Sequence, residues 1–102
     1  MVIKMMSVNY QSFIANFNNP LYHIIDIREK NEFLESHIEG SINIPYNVLL
    51  NNFERILSKN YKYYIICSKG KTSIEIVRII NSKGFSAYSL IGGYDSFKRF
   101  NQ

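Results

Sequence analysis

The chain has 102 residues, 46% of them apolar and 20% charged, a balance that excludes an intrinsically disordered chain. This length fits one domain over residues 1–102. The net charge of +4 comes from scattered basic residues with no run longer than Lys98-Arg99, so it does not favour a nucleic-acid-binding surface.

Helices and strands alternate along the predicted secondary structure. In chain order, the predicted elements are a helix over 8–17, a strand over 23–27, a helical turn over 29–35, a strand over 41–44, a helix over 47–58, a strand over 63–66, a helix over 73–82, a strand over 85–90 and a helix over 94–100. Ser7 is expected to cap the first helix, and Gly84 to end the helix over 73–82. This alternation predicts an α/β domain with a parallel sheet covered on both faces.

Polar residues mark the carboxyl ends of two predicted strands, where parallel sheets form their sites. Asp26 lies in one strand and Cys67 follows the other. The seven residues from Cys67 to Ser73 read CSKGKTS and lead into a helix. Gly70 allows the loop amides to turn inward, and Lys69 and Lys71 add positive charge. These features, with the helix N-terminus, favour a reactive thiolate.

The cysteine has three other interpretations: an inert core residue, a phosphatase nucleophile and an oxidoreductase thiol. A lone cysteine after a buried strand is more often an inert core residue, but a polar glycine loop leading into a helix favours reactivity. A cysteine phosphatase needs arginine six positions after the cysteine, where this chain has Ser73. A dithiol oxidoreductase needs a second cysteine, and the chain has one. The nucleophile must therefore pass its adduct to an external acceptor, as a persulfide does.

Three stretches in the right order resemble the signatures of the rhodanese-like domain in its single-domain form. They are residues 26–28 (DIR), 32–33 (EF) and 37–45 (HIEGSINIP) as the first, the loop over 67–73 as the second, and Gly92-Gly93 as the third. Two positions depart from the family pattern: Thr72 stands where many loops have arginine, and Phe97 fills the place of a tryptophan.

The resemblance implies a parallel five-stranded sheet flanked by helices. It also implies that the protein is an enzyme, a sulfurtransferase similar to thiosulfate sulfurtransferase, that works by a ping-pong route. Cys67 would attack the outer sulfur of a small anionic donor such as thiosulfate, release sulfite and hold one sulfur as a persulfide. A thiol or cyanide acceptor, or a protein acceptor, would then take that sulfur. The cationic loop favours thiosulfate over mercaptopyruvate, and the loop residues are expected to bind the donor and its adduct: Ser68, Lys69, Gly70, Lys71, Thr72 and Ser73.

Supporting roles are expected for Asp26 and Arg28. Asp26 is interpreted as a structural partner of Arg28 or of loop amides rather than as a functional carboxylate. Arg28 and Glu32 are four residues apart in a helical turn, which favours a salt bridge between them. His37 is expected to be structural, since a thiolate mechanism needs no general base. The two histidines and one cysteine lie far apart, so the sequence predicts neither a metal site nor a cofactor.

The sequence leaves two classes of function open. The first is a cytoplasmic, bacterial sulfurtransferase that uses thiosulfate, or a protein or low-molecular-weight persulfide, as donor. The second is a catalytically idle rhodanese fold that serves as an interaction or sulfur-sensing module. No apolar run reaches the ~18 residues that span a bilayer, and the first six residues lack signal-peptide features, so neither a membrane nor an export signal is expected.

Overall fold

Five strands form one sheet in the computed structural model, which describes residues 6–101. The strands are β1 (Ser7–Val8), β2 (Tyr22–Asp26), β3 (Ile42–Asn43), β4 (Lys62–Ile66) and β5 (Ser86–Leu90). The helices are α1 (Tyr10–Ala15), α2 (Lys30–Glu35), α3 (Tyr46–Ile56), α4 (Thr72–Ser82) and α5 (Gly93–Phe100). The strand order is β1-β5-β4-β2-β3, and every pair is parallel. The predicted α/β fold, a parallel five-stranded sheet flanked by helices, is confirmed.

Each face of the sheet packs against its own helices, because successive side chains of a strand point to opposite faces. On β4, Tyr63 and Ile65 belong to one apolar cluster, whereas Tyr64 and Ile66 belong to the other. The first cluster includes buried residues of α3 and α4, namely Leu49, Phe53, Ile76, Val77 and Ile80. The second includes Phe13 of α1 and Tyr94 of α5. Burial raises the pKa of Tyr64 to about 12, so its hydroxyl is neutral inside the second cluster.

The start of the first helix differs from the prediction. Ser7 does not cap it: Ser7 and Val8 form β1 and pair with Ser89 and Leu90 of β5. Asn9 is the cap instead, and its side chain accepts a hydrogen bond from the Ser12 amide at 2.9 Å. The backbone of Ser7 pairs with the edge of β5, so the helix begins at Tyr10, two residues later than predicted. The expectation about an export signal concerns the first residues, of which 1–5 lie outside the described part of the chain.

The predicted end of α4 is confirmed. Its C-cap is Lys83, and Gly84 follows with φ of +89°, the left-handed conformation that glycine adopts most easily. None of the helices within residues 6–101 is both long and apolar enough to cross a bilayer.

Strand register brings the two polar strand ends together. Asp26 is the last residue of β2 and lies opposite Ile66, the last residue of β4. Cys67 follows Ile66 directly, and the amide of Ile27 donates to the Ile66 carbonyl at 2.9 Å. The carboxyl edge of the sheet therefore carries both segments that the sequence singled out, side by side.

Candidate active site

Cys67 lies where the first apolar cluster meets a surface cavity. Its side chain is only 6% exposed, and it packs in the same cluster as Ile65 and Ile27. It also lines a cavity of about 360 Å³ at the carboxyl edge of the sheet. The sulfur thus has one apolar side and one side that faces the cavity.

Peptide amides from the following loop point at the sulfur. The Gly70 amide lies 3.1 Å from the Cys67 Sγ, and the Ser73 amide lies 3.3 Å from it. Gly70 has φ of +86°, which turns its N–H inward at little cost for glycine. The Ser73 amide belongs to the first turn of α4, where backbone N–H groups have no partner within the helix. Both donors favour negative charge on the sulfur.

A chain of buried hydroxyl groups continues from the sulfur into the protein. The Ser73 Oγ lies 3.1 Å from the Cys67 Sγ and 2.6 Å from the Ser89 Oγ. Ser89 is fully buried on β5, and its hydroxyl lies 3.4 Å from the carbonyl of Gly70. A hydroxyl both donates and accepts, so the chain can run in either direction. When Cys67 is a thiol it donates to Ser73; when it is a thiolate, Ser73 donates to sulfur and accepts from Ser89.

The first turn of α5 is hydrogen-bonded to the start of the loop over 67–73. The amides of Tyr94 and Asp95 donate to the carbonyls of Cys67 and Ser68, at 2.8 and 3.0 Å. These loop carbonyls satisfy N–H groups that a helix start leaves free. A Cβ on Gly93 would lie 2.3 Å from the Cys67 carbonyl oxygen, so only glycine lets the two backbones approach this closely. The double glycine over 92–93 therefore acts as a packing contact for the loop.

Asp26 and Arg28 form a buried pair beside the cavity. The Arg28 backbone N, Nε and Nη2 donate to the Asp26 carboxylate at 2.8–3.1 Å. A further bond from Nη2 reaches the Ser36 carbonyl at 2.7 Å, and the guanidinium carbon lies 4.1 Å from the centre of the Tyr94 ring. Arg28 lines the cavity, and these contacts hold its Nε and Nη2 against Asp26 and Ser36. The structural interpretation of Asp26 fits this geometry.

The expected salt bridge between Arg28 and Glu32 is wrong. Asp26 is the ion-pair partner of Arg28, with 2.8 Å between Nη2 and Oδ2. Asp26 is closer in the chain and fully buried, so pairing there neutralises a buried charge, which an exposed Glu32 would not do. Glu32 lines the cavity instead, as does its neighbour Glu29.

The predicted loop residues divide into two groups. Ser68, Lys69, Lys71 and Thr72 line the cavity with Cys67. Gly70 and Ser73 are buried behind the sulfur and contact it through their amides. Lys69 is exposed and pairs with the carboxylate of Asp95 at 3.3 Å.

His37 lies apart from this constellation. Its Nδ1 is 2.7 Å from the Phe33 carbonyl, its ring stacks on that of Phe33, and it does not line the cavity. Within residues 6–101, no three His, Cys, Asp or Glu side chains are grouped so that they could hold a metal ion.

Several residues of the site were missed by sequence reasoning. Ser89 had a signal, because a serine within an otherwise apolar buried strand requires a hydrogen-bond partner. For Glu29 and Glu32 the sequence signal was weaker, since the resemblance indicated their segment but not the direction of their side chains. Tyr46 lines the cavity from the first turn of α3, and no sequence signal indicated it.

Comparison with known proteins agrees with the geometry. The family model described as the rhodanese-like domain matches residues 9–100. Thiosulfate sulfurtransferase GlpE from Shewanella oneidensis is 30% identical over 79 residues, which cover 76% of this chain and 77% of that protein. A rhodanese-related protein from Thermoplasma volcanium superposes with a TM-score of 0.84 at 29% identity, covering 93% of this chain and 92% of that one.

Other curated relatives are much longer. The adenylyltransferase and sulfurtransferase uba4 of Ogataea parapolymorpha is 31% identical over 78 residues, which cover 76% of this chain but 20% of that protein. This chain spans only 13% and 34% of two further relatives. The matched region in such proteins is one part of a larger polypeptide.

Proposed function

This chain belongs to the rhodanese-like domain family, and from that premise we propose that it is a sulfurtransferase in which Cys67 carries sulfane sulfur as a persulfide. Sulfur transfer is the activity named for several of its relatives. The observation that carries the proposal is the position of the Cys67 Sγ, which receives two peptide amides and faces a cavity. The donor is a small sulfur compound such as thiosulfate, and the acceptor is a thiol, cyanide or a protein thiol.

The first step loads the cysteine. The Cys67 thiolate attacks the outer sulfur of thiosulfate, a bond forms between Sγ and that sulfur, and the sulfur–sulfur bond of the donor breaks. Its electron pair leaves with sulfite, so charge and atoms balance and no external oxidant is needed. The amides of Gly70 and Ser73 are aimed at the sulfur before the reaction begins, so the anionic nucleophile is stabilised without rearrangement of the loop.

The second step unloads it. A thiolate acceptor attacks the outer sulfur of the persulfide, and the Cys67 thiolate is regenerated as the leaving group. The same amides and the Ser73 hydroxyl receive the returning negative charge. The sequence has a single cysteine, so no second thiol of this chain competes for the persulfide. We place the reaction in the cytoplasm, where a reducing environment keeps a lone thiol free.

The remaining loop residues have binding roles in this proposal. Lys69, Lys71 and Thr72 line the cavity in front of the sulfur and hold the donor, with Ser68 beside them. Gly70 and Ser73 hold the adduct from behind. Asp26 and Arg28 support the wall of the cavity and take no part in bond making.

The test is substitution of the nucleophile. We expect Cys67→Ser to abolish sulfite release from thiosulfate, and intact-protein mass spectrometry to show a gain of one sulfur atom on the wild type only. Ser96→Ala, which removes a buried hydroxyl outside the cavity, is the control and should load normally. A wild type that gains no sulfur from thiosulfate or from any persulfide would establish the idle-module alternative. Full activity in Cys67→Ser would refute the role of this cysteine.

A further inference from the structure

The cavity in front of Cys67 is larger than an inorganic donor requires. Its volume is about 360 Å³, which corresponds to roughly a dozen water molecules at ~30 Å³ each. Thiosulfate has only five atoms. A volume of this order lies at the lower end of the roughly 300–1,000 Å³ typical of sites for organic molecules. Ile27 and Tyr46 supply apolar lining that a fully charged ion does not need.

Two of the three cationic side chains in the cavity wall have a carboxylate partner. Three cationic side chains line it: Arg28, Lys69 and Lys71. Arg28 is paired with Asp26 at 2.8 Å, and Lys69 with Asp95 at 3.3 Å. Among residues 6–101, Lys71 is thus the lining cation that has no carboxylate partner. The attraction for a dianion is weaker than the loop sequence alone indicates.

Two carboxylates line the same cavity without a cationic partner in the described part of the chain. They are Glu29, the residue before α2, and Glu32 in its first turn. Both side chains are exposed at the mouth of the cavity. The two carboxylates weaken the attraction for a dianion and favour an ammonium group. Lys71 offers the complementary attraction for one carboxylate.

We propose that the donor suited to this cavity is the persulfide of a small amino-acid thiol, whose ammonium group binds Glu29 and Glu32 and whose carboxylate binds Lys71. The inference rests on the proposed function, because it names the donor for the same cysteine. The two carboxylates come from the segment after β2 and the lysine comes from the loop after β4. The organic part of the donor fills the apolar lining near Ile27 and Tyr46.

The transfer step balances for this donor. The Cys67 thiolate attacks the terminal sulfur of R–S–S–H, a bond forms between Sγ and that sulfur, and the donor sulfur–sulfur bond breaks. The electron pair leaves on R–S⁻, which takes a proton from water, while the terminal sulfur keeps its hydrogen. One sulfane sulfur moves between two thiols, and nothing is oxidised or reduced overall.

The test compares three donors in single-turnover loading followed by mass spectrometry. Cysteine persulfide carries the ammonium group, N-acetylcysteine persulfide lacks its charge but keeps the carboxylate, and thiosulfate is the dianion. Loading of Cys67→Ser gives the non-specific background. We expect wild-type kcat/KM to be about three- to tenfold higher for cysteine persulfide than for its N-acetyl form, as two partly exposed charge pairs would give.

The double variant Glu29→Gln/Glu32→Gln decides the assignment. It should remove the preference for cysteine persulfide and raise kcat/KM for thiosulfate by about twofold, since negative charge leaves the mouth. Glu35→Gln, an exposed carboxylate of α2 that does not line the cavity, should change neither. Equal use of both persulfides by the wild type, or a preference that survives the double substitution, would overturn the inference while loading of Cys67 still supports sulfur transfer. Absence of loading by all three donors would instead overturn the proposed function itself.

Discussion

The loop after β4 and the segment after β2 bury polar groups side by side at one edge of the sheet, and they treat those groups differently. Asp26 is fully buried, and its carboxylate is surrounded by donors of Arg28. Cys67 is also buried, but only one side of its sulfur is occupied by donors, and it lines the cavity. The Asp26 carboxylate therefore stabilises the fold, whereas the Cys67 sulfur stays accessible from the cavity.

This difference shows how to distinguish a residue that stabilises the fold from a residue that can react with a ligand. A buried polar atom whose hydrogen bonds are all satisfied by its own fold lowers the energy of that fold and has little capacity left for a ligand. A sulfur held by Gly70 and Ser73 from behind retains lone pairs toward solvent. Proximity to the cavity alone does not separate the two, because Arg28 lines it as well.

The largest effect is expected from breaking the charge pair of the β2 segment. Asp26→Asn should lower the free energy of unfolding by about 3–5 kcal/mol, because it leaves the buried Arg28 guanidinium without a counter-charge. Asp95→Asn, which breaks the exposed pair with Lys69, should change it by less than about 1 kcal/mol. Urea denaturation measures both. Equal costs would show that burial does not distinguish the two pairs.

A second, smaller effect is expected from adding a methyl group in each region. Gly93→Ala places a Cβ 2.3 Å from the Cys67 carbonyl oxygen, so the loop must move. We expect a loss of about 2–4 kcal/mol in stability and a fall in sulfur loading. Gly40→Ala meets nothing within 4 Å although its φ is +86°, so it should cost about 1 kcal/mol and load normally. Thermal unfolding and loading rates compare the two, and normal loading by Gly93→Ala would contradict the packing role.

The smallest effect is expected from the hydroxyl chain behind the sulfur. Ser89→Ala removes the hydroxyl that is hydrogen-bonded to the Ser73 Oγ, which then orients less well toward a thiolate, and loading should slow about three- to tenfold. Ser73→Ala removes the hydroxyl nearest to sulfur and should slow it more. Ser86→Ala, on the same strand, is the control. Alkylation by iodoacetamide at neutral pH should slow in parallel, while a drop in melting temperature without slower alkylation would mean a purely structural role.

The sequence predicted much of the fold because apolar spacing determines it locally. The strand over 63–66 and the helix over 73–82 matched β4 and α4 within one residue, since the first is a compact apolar run and the second has helical apolar spacing. β1 was missed because its two residues depend on pairing with β5, a partner distant in sequence. Serine is a residue type that often caps helices, but the backbone of Ser7 pairs with β5 instead.

The site was predicted in part for a similar reason. The sequence indicated the loop over 67–73, because a cysteine, a glycine and a helix start lie together in the chain. It did not indicate Ser89 or the carboxylates of Glu29 and Glu32, which reach the site through the fold from other segments. It also assigned Arg28 to Glu32, because helical spacing says nothing about which carboxylate is buried.

The contacts of Tyr94 and Asp95 with the loop carbonyls have a consequence for protein synthesis. The cysteine is made long before the residues that hold its loop in place, since Gly93 and the two amides follow it by more than twenty positions. A nascent chain must expose residue 95 beyond the ribosome before the loop can close around the sulfur. The loop therefore gains these two contacts only after α5 is available for folding.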